Sequence, residues 1–247
     1  MRYLSSARYR QISRVLVLVS LCSNLVRAQV ISGSPGESST PASSEIASQL
    51  ISDNFHGKNY AYLSSQWTGC GYDHGNYTKL MTVEEQAGGS GYYSQDCALF
   101  TGHGAFPSDQ YATATIVGLP LGSQQTAIEL RGNVAGSTNE SYIACGWNAH
   151  DFPTDYHYRI WSLAPGGTPI SLWLSKLMPA TSDVVWCQVS GKSVTMKVNG
   201  VALRTVIDTS GLSTGFPGLY YMDSNGGPPA PKDVMFGNFS AGTIAAH

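Results

Sequence analysis

The sequence predicts an all-β protein folded as a sandwich or barrel, and three observations carry that prediction. Short runs with an apolar residue at every second position recur about every 8–15 residues, each bounded by Gly, Pro, Asn or Asp. No stretch sustains the 3.6-residue period of an amphipathic helix, and no long internal repeat is evident. The third observation is residues 184–208, which read as three consecutive antiparallel strands. Val185, Cys187 and Val189 alternate with more polar positions, and Val194, Met196 and Val198 alternate with Thr195, Lys197 and Asn199. That period of two belongs to a strand with one dry and one wet face. Gly191 sits in the first turn. Asn199-Gly200 forms the second, and this pair tolerates the positive φ angles of a type I′ hairpin.

The N-terminus reads as a secretory signal peptide over residues 1–28. Arg2, Arg8, Arg10 and Arg14 precede an apolar run from Val15 to Leu21, and Val26-Arg27-Ala28 supplies a cleavage site after Ala28. The run is too short to span a bilayer, and no other segment reaches that length. Cys22 follows a bulky Leu21, which argues against lipidation there. A secreted, periplasmic or extracellular location is therefore expected. Removing five arginines takes the formal charge from −2 to −7, so a phosphate backbone is a poor partner and nucleic acid is excluded. Charged residues make up only 12% of the chain, about half the usual share, so its wet surface must come from Ser, Thr, Asn, Gln, Gly and the 14 tyrosines. Four cysteines then remain, Cys70, Cys97, Cys145 and Cys187, and an even number in an exported chain points to two disulfides. Three pairings are open. Cys70–Cys97 is favoured because the two lie on neighbouring candidate strands, which leaves Cys145–Cys187.

Taken in order, residues 29–44 are rich in Ser, Pro and Gly and read as a flexible lead-in to a domain spanning 45–247. Residues 44–52 suggest a short helical turn. From Asp53 the pattern is β: 60–70, then 79–83 with the strand ending before Glu84-Glu85, then 92–101, 110–117, 126–131, 141–147, 156–163 and 171–176. The hairpin at 184–208 follows, and residues 218–222 and 234–239 close the series.

Several segments together resemble a known family. They are Asp53-Asn54-Phe55, Ser65-Gln66-Trp67, residues 106–111 (FPSDQY), residues 158–161 (YRIW), the hairpin VSGKSVTMKVNG, residues 214–219 (TGFPGL) and the closing 236–242 (FGNFSAG). Their order over residues 50–242 is similar to exported concanavalin A-like lectin/glucanase domains of the laminin G-like type. The resemblance implies a jelly-roll sandwich of two antiparallel sheets, one of them concave. Glycan-binding members carry aromatic and polar residues on that concave face or its rim. It also implies a structural calcium where the first and last strands meet, for which Asp53 and Asp233 offer hard oxygen ligands. No other cofactor is expected.

The search for chemistry is mostly negative. Glycosidases need two carboxyl groups flanking the scissile bond. The family's glucanase branch sets them on one strand as Glu-x-Asp-x-x-Glu, a run absent here. Glu84 and Glu85 point to opposite faces, Glu129 is isolated in TAIELR, and Asp151 and Asp155 sit in a Pro-containing loop. The polysaccharide-lyase branch would use Arg, Gln, His and Tyr. Glu129-Leu130-Arg131 and Tyr220-Tyr221 are faintly similar to it, without a Gln-x-His strand. Nucleophile-elbow, zinc-protease and phosphate-loop motifs are missing too. The expectation is a protein that is not an enzyme: a carbohydrate-binding or adhesion module whose partner is a polysaccharide or glycoconjugate. A hydrolase or lyase of the same fold is the alternative, and a structural cell-surface protein the third. Sugar faces stack on aromatic rings, and the candidates are Trp147, Tyr156, Tyr158, Trp161, Trp173 and Trp186. Parity places Tyr156 and Tyr158 on one face of their strand, and Arg159 and Trp161 on the other. Trp186 has the opposite parity to Val185 and Cys187, which directs it outward and makes it the leading aromatic.

Overall fold

The structure is a computed structural model that describes residues 47–73, 76–78, 80–89, 95–119, 124–133, 140–149, 156–222 and 235–245. The expected leader and lead-in, Asp151, Asp155 and Asp233 lie outside the described residues. Eighteen strands and no helix occupy the described chain. They are β1 (Ala47–Asp53), β2 (Ala61–Tyr62), β3 (Trp67–Gly69), β4 (Gly71–Asp73), β5 (Asn76–Thr78), β6 (Met81–Val83), β7 (Gln86–Gly88), β8 (Gln95–Phe100) and β9 (Gln110–Ile116). The second half comprises β10 (Gln125–Gly132), β11 (Tyr142–Ala149), β12 (Tyr156–Leu163), β13 (Ile170–Leu174), β14 (Val184–Ser190), β15 (Ser193–Val198), β16 (Val201–Ile207), β17 (Phe216–Met222) and β18 (Met235–Ile244).

All strand pairings are antiparallel and form two sheets. The first runs β16-β15-β14-β9-β18-β7-β6-β2, with β1 also on β18. The second runs β13-β12-β11-β10-β17-β8-β4-β5, with β3 also on β8. Sequence neighbours pair in the hairpins β14-β15-β16 and β10-β11-β12-β13, whereas β9, β17 and β18 are recruited from far along the chain. This is an all-β sandwich, one of the two forms that the alternation predicts, and it has the jelly-roll form that the resemblance implies.

Alternation decides the interior. Val185, Cys187, Val189, Val194 and Met196 of the first sheet face Ile128, Leu130, Ile143, Cys145, Trp147 and Ile160 of the second, all buried in one core. The turns follow residue chemistry. Asn199 and Gly200 take φ of 51° and 80°, as a type I′ turn requires. Glu84 and Glu85, also at positive φ, turn β6 into β7. The expected helical turn at 44–52 is instead β1, which pairs with β18 and buries Ile51. Here a tertiary ladder outweighs weak local helix propensity. Both disulfides take the favoured pairing, Cys70–Cys97 and Cys145–Cys187. The second joins β11 to β14 through the core and so staples the two sheets together. Closing a 42-residue separation removes denatured-state entropy equivalent to about 4 kcal/mol.

Candidate functional site

Side chains on the outer face of the second sheet point away from the sandwich interior, yet many are buried. Cys70, Cys97, Leu99, Ala127, Tyr142, Ala144, Trp161, Leu163 and Tyr220 form a second apolar cluster there. The register explains it. One row across the sheet reads Leu99, Gly218, Glu129, Ala144, Trp161, and the next reads Cys97, Tyr220, Ala127, Gly146, Arg159. Small residues in the middle strands leave a trough, and large ones lean into it. A Cβ on Gly146 would stand 2.6 Å from the Trp161 ring and 2.1 Å from the Thr126 carbonyl oxygen, so only glycine lets the indole lie down there.

A cleft of about 240 Å³ opens over this face, lined by Gln125, Glu140, Tyr142, Arg159, Trp161, Leu163, Gly167, Pro169, Tyr220 and Met222. Two larger hollows, of about 280 and 410 Å³, share the Arg131 side chain at the sandwich end. They are structural. Arg131 donates from Nε and Nη2 to the Ser108 carbonyl, from Nη2 to Gly191 and from Nη1 to Leu212, at 2.5–3.0 Å. Four of its five N–H donors are spent tying three loops together.

The cleft holds the unusual electrostatics. Glu129 is 1% exposed and does not line the cleft; its row lies between those of Tyr220 and Tyr142. Burial, and then repulsion from Glu140, pushes its carboxyl well above the usual range. Oε2 stands 3.1 Å from Cys97 Sγ, and Oε1 has no partner among the described residues. A disulfide sulfur carries no hydrogen, so a hydrogen bond at that contact requires the protonated carboxyl as donor. Glu140, in the segment leading into β11, is half-buried, and burial pushes its carboxyl up to about 7. Burial likewise raises Tyr142 and Tyr220, with the nearby carboxyls adding to it, so both phenols stay neutral. Polar interactions with Trp161 and Tyr220 hold the Tyr142 hydroxyl, and the two tyrosine rings sit 5.7 Å apart. The Arg159 guanidinium lies 5.3 Å from the centre of the Trp161 ring, a cation–π contact.

The residues expected to bind ligand are scattered. Trp147 is wholly buried, edge-on to Phe236, and Tyr158 is buried with its hydroxyl donating to Asp183 at 2.5 Å. Neither offers a ring to a sugar, a correction to both assignments: the face of β12 that carries Tyr158 turned out to be the dry one. Trp173 packs against the core. The Tyr156 side chain lies outside the described residues. Trp186 does point outward, but on the first sheet, away from the cleft. Its ring stacks on Tyr111 from β9 at 4.3 Å and meets Lys197 from β15 at 5.4 Å, so both flanks are occupied by its own neighbours. Asp53 accepts from the Phe55 N–H and the Trp67 indole, both at 2.7 Å. Trp161 and Arg159 share the outer face as parity required. Glu140 carried no recognisable catalytic motif: it stands alone between Asn139 and Ser141 in a polar segment.

No family model and no curated protein matches this sequence. Solved structures do match. An endo-1,3-β-glucanase (laminarinase) catalytic domain from Thermotoga petrophila is 11% identical, with TM-score 0.54, covering 82% of this chain and 100% of that one. An immunostimulatory antigen and pseudo β-1,3-glucanase of Mycobacterium tuberculosis is 12% identical, with TM-score 0.54, covering 81% and 99%. A Bacillus subtilis protein of galectin-like fold is 10% identical, with TM-score 0.53, covering 82% and 99%. The fold is therefore that of the concanavalin A-like lectins and glucanases. The expectation that the chain is not an enzyme is corrected by the same finding, since glucanases share its fold. It rested on a missing single-strand carboxylate motif. The structure brings two carboxyls, Glu129 and Glu140, into electrostatic contact from separate segments.

Proposed function

We propose that this protein is an exported glycan-binding protein that holds a sugar chain in the cleft over the second sheet. The observation that carries the reading is the joint placement of Trp161, Tyr142, Tyr220, Arg159, Gln125 and Glu140 around one cleft. Aromatic surface with a few convergent polar groups is what sugar recognition needs. At about 240 Å³ the cleft is smaller than the roughly 300–1,000 Å³ typical of small-molecule pockets, a size suited to one residue of a polymer. The glucanase and lectin-like folds among the similar structures support it, and two disulfides fit an oxidising compartment.

Glycan cleavage is the second reading, and Glu140 favours it. A carboxyl near 7 is half protonated at neutral pH and can give its proton to a leaving oxygen. Glu129 is buried and does not line the cleft, so it cannot attack the sugar; burial is what keeps Glu140 protonated near neutrality. Affinity electrophoresis across a polysaccharide panel, with polymer length measured afterwards, tests both readings. Retardation without shortening is expected for binding. Shortening that disappears in Glu140→Gln, with retardation kept, would establish cleavage. No retardation by any polymer would overturn the proposal.

A further inference from the structure

We propose that the cleft selects an acidic sugar, a uronic acid residue, whose carboxylate pairs with Arg159; this rests on the glycan-binding reading above. Among the described residues Arg159 is the only cationic side chain lining the cleft. Among the described residues no carboxylate lies within ion-pair distance of it; the single ion pair there is His56–Glu85, at 3.0 Å. A half-buried guanidinium without a counter-ion is costly to maintain unless a ligand supplies one.

The neighbouring acids do not fill that role. The charges acting on Arg159 come from the Tyr142 and Tyr220 phenols, and both are neutral at physiological pH. Burial raises the Glu129 carboxyl well above its usual range, which disfavours its charged form, and raises Glu140 to about 7. The cleft therefore carries net positive charge at and below neutral pH, although the chain as a whole is acidic. Contact with Trp161 restricts the guanidinium plane. A planar fork held in this way suits a carboxylate, which it can bind through two parallel N–H···O bonds. A neutral hexose offers only hydroxyls and leaves the charge unanswered. On such a ligand Glu140, when protonated, adds a donor beside Tyr142 and Tyr220, which line the same cleft.

The test compares polymers that differ only in charge. Polygalacturonate, alginate and hyaluronate are each run in affinity electrophoresis as the native polymer and as its carboxyl-reduced form. The expected result is at least one native polymer bound roughly tenfold or more tightly than its reduced counterpart, the order of a charge-assisted hydrogen-bond pair. Arg159→Gln should bring the native polymer to the level of the reduced one, while Arg159→Lys recovers part of the difference. Thermal melts of both variants establish that they fold. Equal binding of native and reduced forms, or binding confined to neutral glycans, overturns the selectivity and leaves the glycan reading intact. A preference for the native polymer that survives in folded Arg159→Gln overturns the assignment of Arg159. Failure to bind any polymer, charged or neutral, overturns both proposals.

Discussion

Replacing Glu140 by Gln should make the protein more stable at pH 8 and leave it unchanged at pH 4. In the fold, burial raises this carboxyl from 4.5 to about 7. The folded state thus holds the proton more tightly than the unfolded chain. The associated stability is fully present below pH 4.5 and is lost as the pH rises through 7. At 1.36 kcal/mol per pH unit, that interval corresponds to about 3 kcal/mol. Gln keeps the shape of the protonated acid and has no proton to lose, so it avoids the loss. Removing Glu140 also relieves the repulsion that lifts Glu129, which acts in the same direction. Urea unfolding of wild type and Glu140→Gln at pH 4, 6 and 8 measures the difference directly, and titrating groups not coupled to Glu140 cancel in the subtraction. The expected gap grows from near zero to about 3 kcal/mol in favour of the variant. Parallel profiles, or a wild type that stays the more stable at pH 8, would refute the burial argument and with it Glu140 as a proton donor near neutrality.

Two further predictions concern the core. Replacing both Cys145 and Cys187 by Ala should lower stability by about 4 kcal/mol, read as a fall in the urea midpoint, because the link between the sheets constrains the denatured chain. Trp147→Ala should cost about 3–5 kcal/mol by emptying a fully buried site, while the protein that remains folded binds glycan as before. Selective loss of glycan binding without destabilisation would return Trp147 to the ligand site.

Much of the architecture was legible in the residues. Strict alternation through Val185, Cys187, Val189, Val194 and Met196 could bury only one face of a sheet. Asn199-Gly200 could close only a tight hairpin, and the four cysteines beyond the expected leader suggested two bridges. Parity even separated Arg159 and Trp161 from Tyr158. What parity leaves open is which side of a strand is dry. In a sandwich that depends on where the other sheet lies, and the partners of β12 are β11 and β13, whose own facing is set by packing against the first sheet. The outer face here is also partly buried, because Gly218, Ala144 and Gly146 open a trough that Trp161, Tyr142 and Tyr220 fill. Burial alone therefore did not distinguish core from cleft.

The candidate site was the least visible part, and for a related reason. A motif search finds acids spaced along one strand, whereas Glu129 lies within β10 and Glu140 in the segment that leads into β11. Local sequence determined that this chain makes strands, where they turn and which residues alternate, because backbone geometry and side-chain size act over two to four residues. Only the tertiary structure decided that the two glutamates meet in one desolvated trough and that Arg159 stands near them with no carboxylate at ion-pair distance among the described residues. Those properties depend on the dielectric surroundings and charge neighbours, which are set by the pairing of β10, β11 and β12 and by β17 packed beside β10.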